Sequence, residues 1–268
     1  MEDLLRIVSR DNQYVKLACS LRSKKGRSQS GCFLLEGLRL VEEALLAAWP
    51  LSFGLLSEEE LNQPRYAAPL AHLLHKKIPV YLLPPLLFKQ VADTVHSQGL
   101  LVVAKLVPEK QTLPNEADFL LIADRIADPG NLGAIMRTAW AVGAQALLLP
   151  PGSADPFSPK VTRASMGAVL RLPILDFPNE AAVKTFCKER GLTLLASSID
   201  GECRYDQTCL DQPLAWLFGA EANGLSPFWQ KVADLRVYLP MAKGAQSLNV
   251  ASAAAILLYA TAAQRGFA

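Results

Sequence analysis

The chain has no C-x-x-C pair. Its five cysteines, Cys19, Cys32, Cys187, Cys203 and Cys209, are odd in number and stand apart from any histidine cluster. This excludes the usual zinc spacings and a disulfide framework, and it reads as the reduced thiols of a cytoplasmic protein. Histidine is scarce: His72, His75 and His96 all lie in the first half. A Ser-His-Asp or Cys-His hydrolase needs a histidine at its site, and metal catalysis needs a ligand set; neither has obvious candidates here. No G-x-G-x-x-G follows a strand pattern and no G-x-x-x-x-G-K-[ST] occurs, so the common dinucleotide and phosphate-loop signatures are missing. No apolar run reaches the roughly 18 residues of a membrane span without polar interruption. The opening stretch, MEDLLRIVSRDN, has early acids and no apolar h-region, so a secretory signal is not expected. No repeating unit of roughly 20–50 residues is visible. Net charge is only +2, so the molecule as a whole is not a polycation.

What is present is apolar residues in short, regularly spaced runs. They make up 51% of the 268 residues, enough for one large or two modest domains with a sizeable core. In the first half, strands are predicted at Phe33–Leu35, Leu51–Leu56, Val80–Leu83 and Leu100–Lys105. A helix follows Glu36-Gly37, and helical segments lie near Pro69–Lys77 and Pro84–Val95. The Pro-containing polar stretch 108–116 reads as a linker, giving an N-terminal α/β domain over 1–107 and a second domain over 117–268. In the second, strands are predicted at Phe119–Ala123, Ala146–Leu149, Leu192–Ala196 and Leu214–Phe218, with helices at Leu132–Val142 and Glu180–Glu189. Buried strands alternating with helices imply a parallel sheet covered on both faces.

One basic run stands out. Lys16, Arg22, Lys24, Lys25 and Arg27 have no acid among them, and Gly26 to Gly31 reads as loose. Such a run is either a solvated face or a phosphate-contacting patch.

Three stretches carry the candidate chemistry. Asp124–Ala139 (DRIADPGNLGAIMRTA) leaves a strand and enters a helix, with Pro129-Gly130 at the turn and Asn131 where a cap would sit. Arg137 lies nearly two turns in, on an otherwise apolar helix. It either snorkels to pair with an acid or faces an anionic substrate at the end of the strands, where open α/β sheets put their ligands. Leu217–Ser226 (LFGAEANGLS) ends a strand at Phe218 and brackets Glu221 with Gly219 and Gly224. The glycines permit bends and close approach of a ligand to main-chain groups, although Glu221 also suits a helix start. Leu239–Tyr259 (LPMAKGAQSLNVASAAAILLY) passes from a strand end through Pro240 and Gly244. Ser247-Leu248-Asn249 then opens a helix rich in Ala, Ile and Leu, with Ser and Asn able to accept from its first free N–H groups.

Together, and in this order over about 150 residues, these stretches resemble the motifs of the SpoU or TrmH-like branch of the SPOUT RNA methyltransferases. Asn131 and Arg137 after D-P-G match its first motif. Gly219, Glu221 and Gly224 match the second. Leu239, Pro240, Met241, Ser247, Leu248, Asn249 and Val250 match the third. Ala251 stands where the family often has Ser, a helix position outside the motif. The N-terminal stretch also resembles the substrate-binding module of ribosomal RNA 2′-O-methyltransferases in this family, through Lys16, Leu21, Lys25, Arg27, Phe33, Glu36 and Gly37.

The resemblance implies a C-terminal SPOUT α/β knot, a deep trefoil with a mostly parallel sheet, behind a smaller L30e-like α/β domain. It implies S-adenosylmethionine as methyl donor without a metal, and transfer to a ribose 2′-OH of RNA, most naturally ribosomal RNA. It implies a homodimer with shared active sites; no membrane partner is expected, because no apolar run is long enough to span one. Arg137 would then activate or orient the ribose hydroxyl, and Asn131, Glu221, Ser247 and Asn249 would organise the site. Phe218, Gly219, Leu239, Met241 and Leu248 would bind the cofactor, and Lys16, Arg22, Lys24, Lys25 and Arg27 the RNA. A tRNA 2′-O-methyltransferase and a non-catalytic ribosome-assembly factor of the same fold are the alternatives.

Overall fold

Nearly continuous apolar runs make the strands of this protein, and polar turns with proline or glycine end them. A computed structural model describes residues 4–107 and 112–267. The chain divides into two compact units: Met1–Pro108 with Phe157–Leu170, and Glu109–Pro156 with Arg171–Ala268.

The first unit begins with β1 (Leu5–Arg6), α1 (Gln13–Ser20) and α2 (Lys24–Ser30), followed by β2 (Cys32–Glu36), α3 (Leu38–Leu46) and β3 (Leu51–Ser57). It continues with α4 (Pro64–His75), β4 (Val80–Leu83), α5 (Pro85–Val91) and β5 (Leu100–Lys105). Its sheet has the order β1-β4-β3-β5-β2 and is mixed. β5 runs antiparallel to both β2 and β3, while β4 is parallel to β1 and β3. Tyr14 of α1 stacks on Tyr81 with ring centroids 4.4 Å apart and meets Phe53 edge-on at 4.9 Å. These rings pack beside a core that includes Leu34, Leu55, Phe88 and Val103.

The stretch Gly26 to Gly31, read from sequence as loose, is helical up to Ser30. Ser23 caps α2 by accepting from the Gly26 N–H, and Gly31, at φ 64°, closes it in the left-handed conformation that glycine adopts without penalty. Helix α4 starts at Pro64, five residues before the predicted segment, with Pro69 inside it.

Residues 157–170 fall within the range read as the second domain, yet they cluster with the first unit. Their helix α7 (Pro159–Ala164) lies against β2. Phe157 meets Phe33 at a centroid distance of 5.0 Å, and Arg163 pairs with Asp93 at 2.7 Å. Of the predicted linker 108–116, residues 108–111 lie outside the described residues.

The second unit contains β6 (Phe119–Asp124), α6 (Pro129–Ala141), β7 (Ala146–Leu149), β8 (Ile174–Asp176), α8 (Glu180–Glu189) and β9 (Thr193–Ser197). After them come β10 (Cys203–Arg204), β11 (Leu214–Gly219), α9 (Pro227–Val232), β12 (Leu235–Tyr238) and α10 (Val250–Arg265). Among the described residues these strands form a seven-stranded sheet of order β10-β12-β9-β11-β6-β7-β8, and every pairing is parallel. β6 and β11 are buried along their whole length, as central parallel strands are.

Helix α10 is fixed at three levels. Asn249 caps its start and accepts from the N–H groups of Ala251 and Ser252. In its last third the buried Trp216 indole N–H donates to Thr261 Oγ1 at 2.9 Å. At its end Arg265 pairs with Asp118 at 2.8 Å and donates to the Leu210 carbonyl at 3.1 Å.

Candidate functional site

The carboxyl ends of β9, β11 and β12 lie side by side in the parallel sheet, and the loops leaving them enclose a cavity of about 630 Å³. Crevices at this end of an open α/β sheet are where such folds hold ligands. The cavity size falls within the roughly 300–1,000 Å³ usual for small-molecule sites. Of the residues singled out from sequence, Gly219, Glu221, Leu239, Met241, Ser247, Leu248 and Asn249 line it.

The loop after β11 is tightly wound. Gly224 N–H donates to the Ala220 carbonyl at 2.9 Å. Gly219 must be glycine: a Cβ there would lie 2.4 Å from the Gly224 carbonyl carbon and 2.5 Å from the Leu225 nitrogen. Gln230 holds the far side of the loop, donating from Nε2 to the Leu225 carbonyl at 2.9 Å.

A hydrogen-bond relay joins the three candidate stretches. Asn131 Nδ2 donates to Glu221 Oε1 at 2.9 Å, and Asn249 Nδ2 donates to Asn131 Oδ1 at 2.9 Å. The remaining oxygen of Asn249, Oδ1, accepts from the start of α10. Asn131 is not the helix cap predicted for it. Asp128 takes that role, accepting from the Asn131 N–H at 2.8 Å, and Pro129 supplies the first turn. The Asn131 amide is thereby free to bridge the other two stretches.

Three residues are placed differently from expectation. Phe218 does not line the cavity; it is buried on β11 and stacks on Trp216 with centroids 6.0 Å apart. Arg137 does not line it either and stands exposed on α6, one turn before the exposed Trp140. Arg27, read as an RNA contact, is buried at 4% exposure and donates to the Leu21 carbonyl at 2.7 Å. Its neighbours in the sequence run remain at the surface: Lys16, paired with Asp11 at 2.9 Å, Arg22, paired with Asp93 at 3.6 Å, and Lys24 and Lys25 at the start of α2.

The sequence reading missed part of the wall. Ser197 to Asp200, Gln230 and Arg236 also line the cavity. Ser197–Asp200 directly follows a predicted strand, so a polar loop at a strand's carboxyl end was the available signal. Only the order β9-β11 shows that this loop faces Gly219.

Fold and cavity together define an α/β protein with a cavity of small-molecule size at the carboxyl ends of parallel strands. The chain belongs to the SpoU rRNA methylase family, which residues 118–259 match, while residues 12–124 match the MRM3-like substrate binding domain. The 23S rRNA (guanosine(2553)-2'-O)-methyltransferase RlmP of Bacillus subtilis is 32% identical over 254 residues, covering 95% of this chain and 98% of its own. The SpoU methyltransferase AviRb from Streptomyces viridochromogenes, solved in complex with AdoMet, is 28% identical with a TM-score of 0.84, covering 95% of this chain and 98% of that one. An AdoMet-bound rRNA methyltransferase from Sinorhizobium meliloti is 28% identical with a TM-score of 0.83 and 96% coverage of both chains.

Proposed function

We propose that this chain is an S-adenosylmethionine-dependent methyltransferase that methylates a ribose 2′-OH of ribosomal RNA and works as a homodimer. The relay Glu221–Asn131–Asn249 carries this reading, because it gathers all three motif stretches at the rim of one cavity. The cavity suits the cofactor in chemistry as well as size. It sets the Gly219–Leu225 turn beside the apolar side chains of Leu239, Met241 and Leu248. When bound, S-adenosylmethionine supplies an electrophilic sulfonium methyl, so the residues of this chain have mainly to hold and orient the acceptor. Gly219, Leu239 and Leu248 hold the cofactor in this reading, with Met241 beside them. The relay and Ser247 keep the rim in shape. The trefoil knot belongs to the same reading.

Arg137 has its place in a dimer. It is exposed and stands outside its own chain's cavity lining, which fits a guanidinium that serves the site of a partner copy, orienting the ribose or its phosphate. Its helix and α10 pack together, yet they leave Trp140 41%, Ile256 41% and Tyr259 49% exposed. Large apolar side chains on two adjoining helices favour a covering surface. The first unit supplies the RNA grip through Lys16, Arg22, Lys24 and Lys25. Among the described residues no helix is long and apolar enough to cross a membrane, and we place the protein in the cytoplasm with its RNA.

The test is methyl transfer from labelled S-adenosylmethionine to ribosomal RNA, with the 2′-O position mapped. Arg137→Ala should lower transfer by orders of magnitude while calorimetry shows cofactor affinity retained. Labelling of tRNA alone would move the substrate, and no cofactor binding at millimolar concentration would leave an assembly factor. Unchanged turnover in Arg137→Ala would remove that residue from the mechanism.

A further inference from the structure

One residue beside the site holds an unusual backbone. Arg125, the residue after β6, sits at φ 57°, in the left-handed region that side chains other than Gly, Asn and Asp seldom enter. Strain of this kind persists where surrounding contacts over-determine it. Those contacts are on view. The Asp124 carboxylate is fully buried and accepts the Ser226 N–H at 2.6 Å. Arg125 donates to the same carboxylate, from Nε at 3.1 Å and from Nη2 at 3.4 Å. Its Nη2 also reaches the Gly224 carbonyl at 3.4 Å. The stem of Arg125 crosses Gly152, where a Cβ would come within 2.8 Å of the Arg125 Cγ.

Neither Asp124 nor Arg125 lines the cavity, but both grip Gly224–Ser226, the end of the turn that does. That turn carries Glu221, the first member of the relay. We infer that Arg125, braced on the buried Asp124 carboxylate, is a positioning residue that holds the Gly219–Ser226 turn in its ligand-binding shape. The inference rests on the reading that this cavity takes S-adenosylmethionine. With its backbone left-handed, Arg125 places one guanidinium against both its own neighbouring carboxylate and the Gly224 carbonyl, so a single side chain links the end of β6 to the turn. Strain at Arg125 is the counterpart of order in the turn.

The test compares three variants of the full chain. Arg125→Gln removes the charge-assisted hydrogen bonds and should weaken S-adenosylmethionine binding about tenfold, the effect of one such bond. It should raise the KM for the cofactor by a similar factor, with kcat at saturation within about threefold and RNA affinity unchanged. Arg125→Lys keeps a charge near Asp124 and should restore part of the affinity. Arg125→Gly relieves the backbone strain, so its melting temperature should equal or exceed that of Arg125→Gln. It should nevertheless bind the cofactor as weakly. A purely structural role predicts the reverse, with glycine the best tolerated by every measure. Wild-type affinity in Arg125→Gly would overturn the proposal. Leu248→Arg controls for the underlying reading: it puts a cation into the cavity lining against a cationic sulfonium, and if it leaves cofactor binding intact, the cavity assignment fails whatever Arg125 does.

Discussion

Gly219→Ala adds one methyl group at the most crowded point of the cavity wall. The added Cβ would meet the Gly224 carbonyl carbon at 2.4 Å, the Leu225 nitrogen at 2.5 Å and the Gly224 oxygen at 2.7 Å. All three are backbone atoms, so no side chain can swing away. Ordinary contact begins near 3.4 Å, and the turn or the strand end would have to give by about 1 Å. The turn is tied through Gln230, Asp124 and Arg125, Gly219 pairs with Asp124 of β6, and Leu217 just before it pairs with Ala196 of β9. Overpacking of this kind costs about 1–3 kcal/mol. If the turn keeps its shape, the strain lowers the melting temperature, by roughly 2–4 °C per kcal/mol for a chain of this size class. If the turn relaxes outward, the ligand must pull it back, and affinity falls by the same free energy, roughly 5–150-fold. Thermal melts and calorimetry with S-adenosylmethionine therefore read two parts of one penalty. Gly191→Ala is the contrasting case: nothing lies within 4 Å of the added atom, and its cost comes from a positive φ, 66°, which Gly219 does not have. It should lose about 1 kcal/mol of stability and no cofactor affinity. A Gly219→Ala protein that melts and binds like wild type would refute the close-packed turn.

Replacing Lys24 and Lys25 by alanine should flatten the salt dependence of RNA binding by roughly 0.7–0.9 per lost phosphate contact in filter-binding titrations. An unchanged slope would make them a solubilising face. Arg27→Ala should instead lower the melting temperature, by the equivalent of about 1–3 kcal/mol, since it removes a buried donor from the Leu21 carbonyl and leaves the salt slope alone. Burial pushes the Cys187 thiol up to about 12, with Arg190 opposing and Asp234 adding to the shift. A thiol raised in this way stays protonated at pH 8, so alkylation followed by mass spectrometry should leave Cys187 unmodified in the native protein and modify it after denaturation.

Much of the second unit was legible because its strands are short apolar runs bounded by turn residues. β7 and α8 fall where periodicity put them, and β6, β9 and β11 do so within a residue. The convergence of Asn131, Glu221 and Asn249 was legible only through motif resemblance, since they are separated by 90 and 118 residues. Three features were not legible, each for a physical reason. Asp128 and Asn131 are both good caps, and only the fold shows that Asp128 takes the N–H while Asn131 turns to Glu221. Arg27 looks like its exposed neighbours in the run, but the turn from α1 into α2 brings the Leu21 carbonyl within reach and buries it. Helix α7 is six residues long, too short for helical periodicity to register, and its attachment to β2 depends on Phe157 and Arg163 finding partners more than 60 residues away.

The three-level fixing of α10 has a consequence for the protein during its synthesis. The ribosome delivers this chain from its amino end, and earlier segments can fold as they emerge. The sheet strands and the turn at Gly219 all precede residue 240. Asn249, which completes the relay, and Thr261 and Arg265, which hold its helix in place, come afterwards. A nascent chain can therefore assemble most of its sheet while the cavity still lacks a wall. Competence to bind a ligand then arrives late and abruptly, with the helix that closes the fold, and a chain stalled before residue 249 would be largely structured and inert.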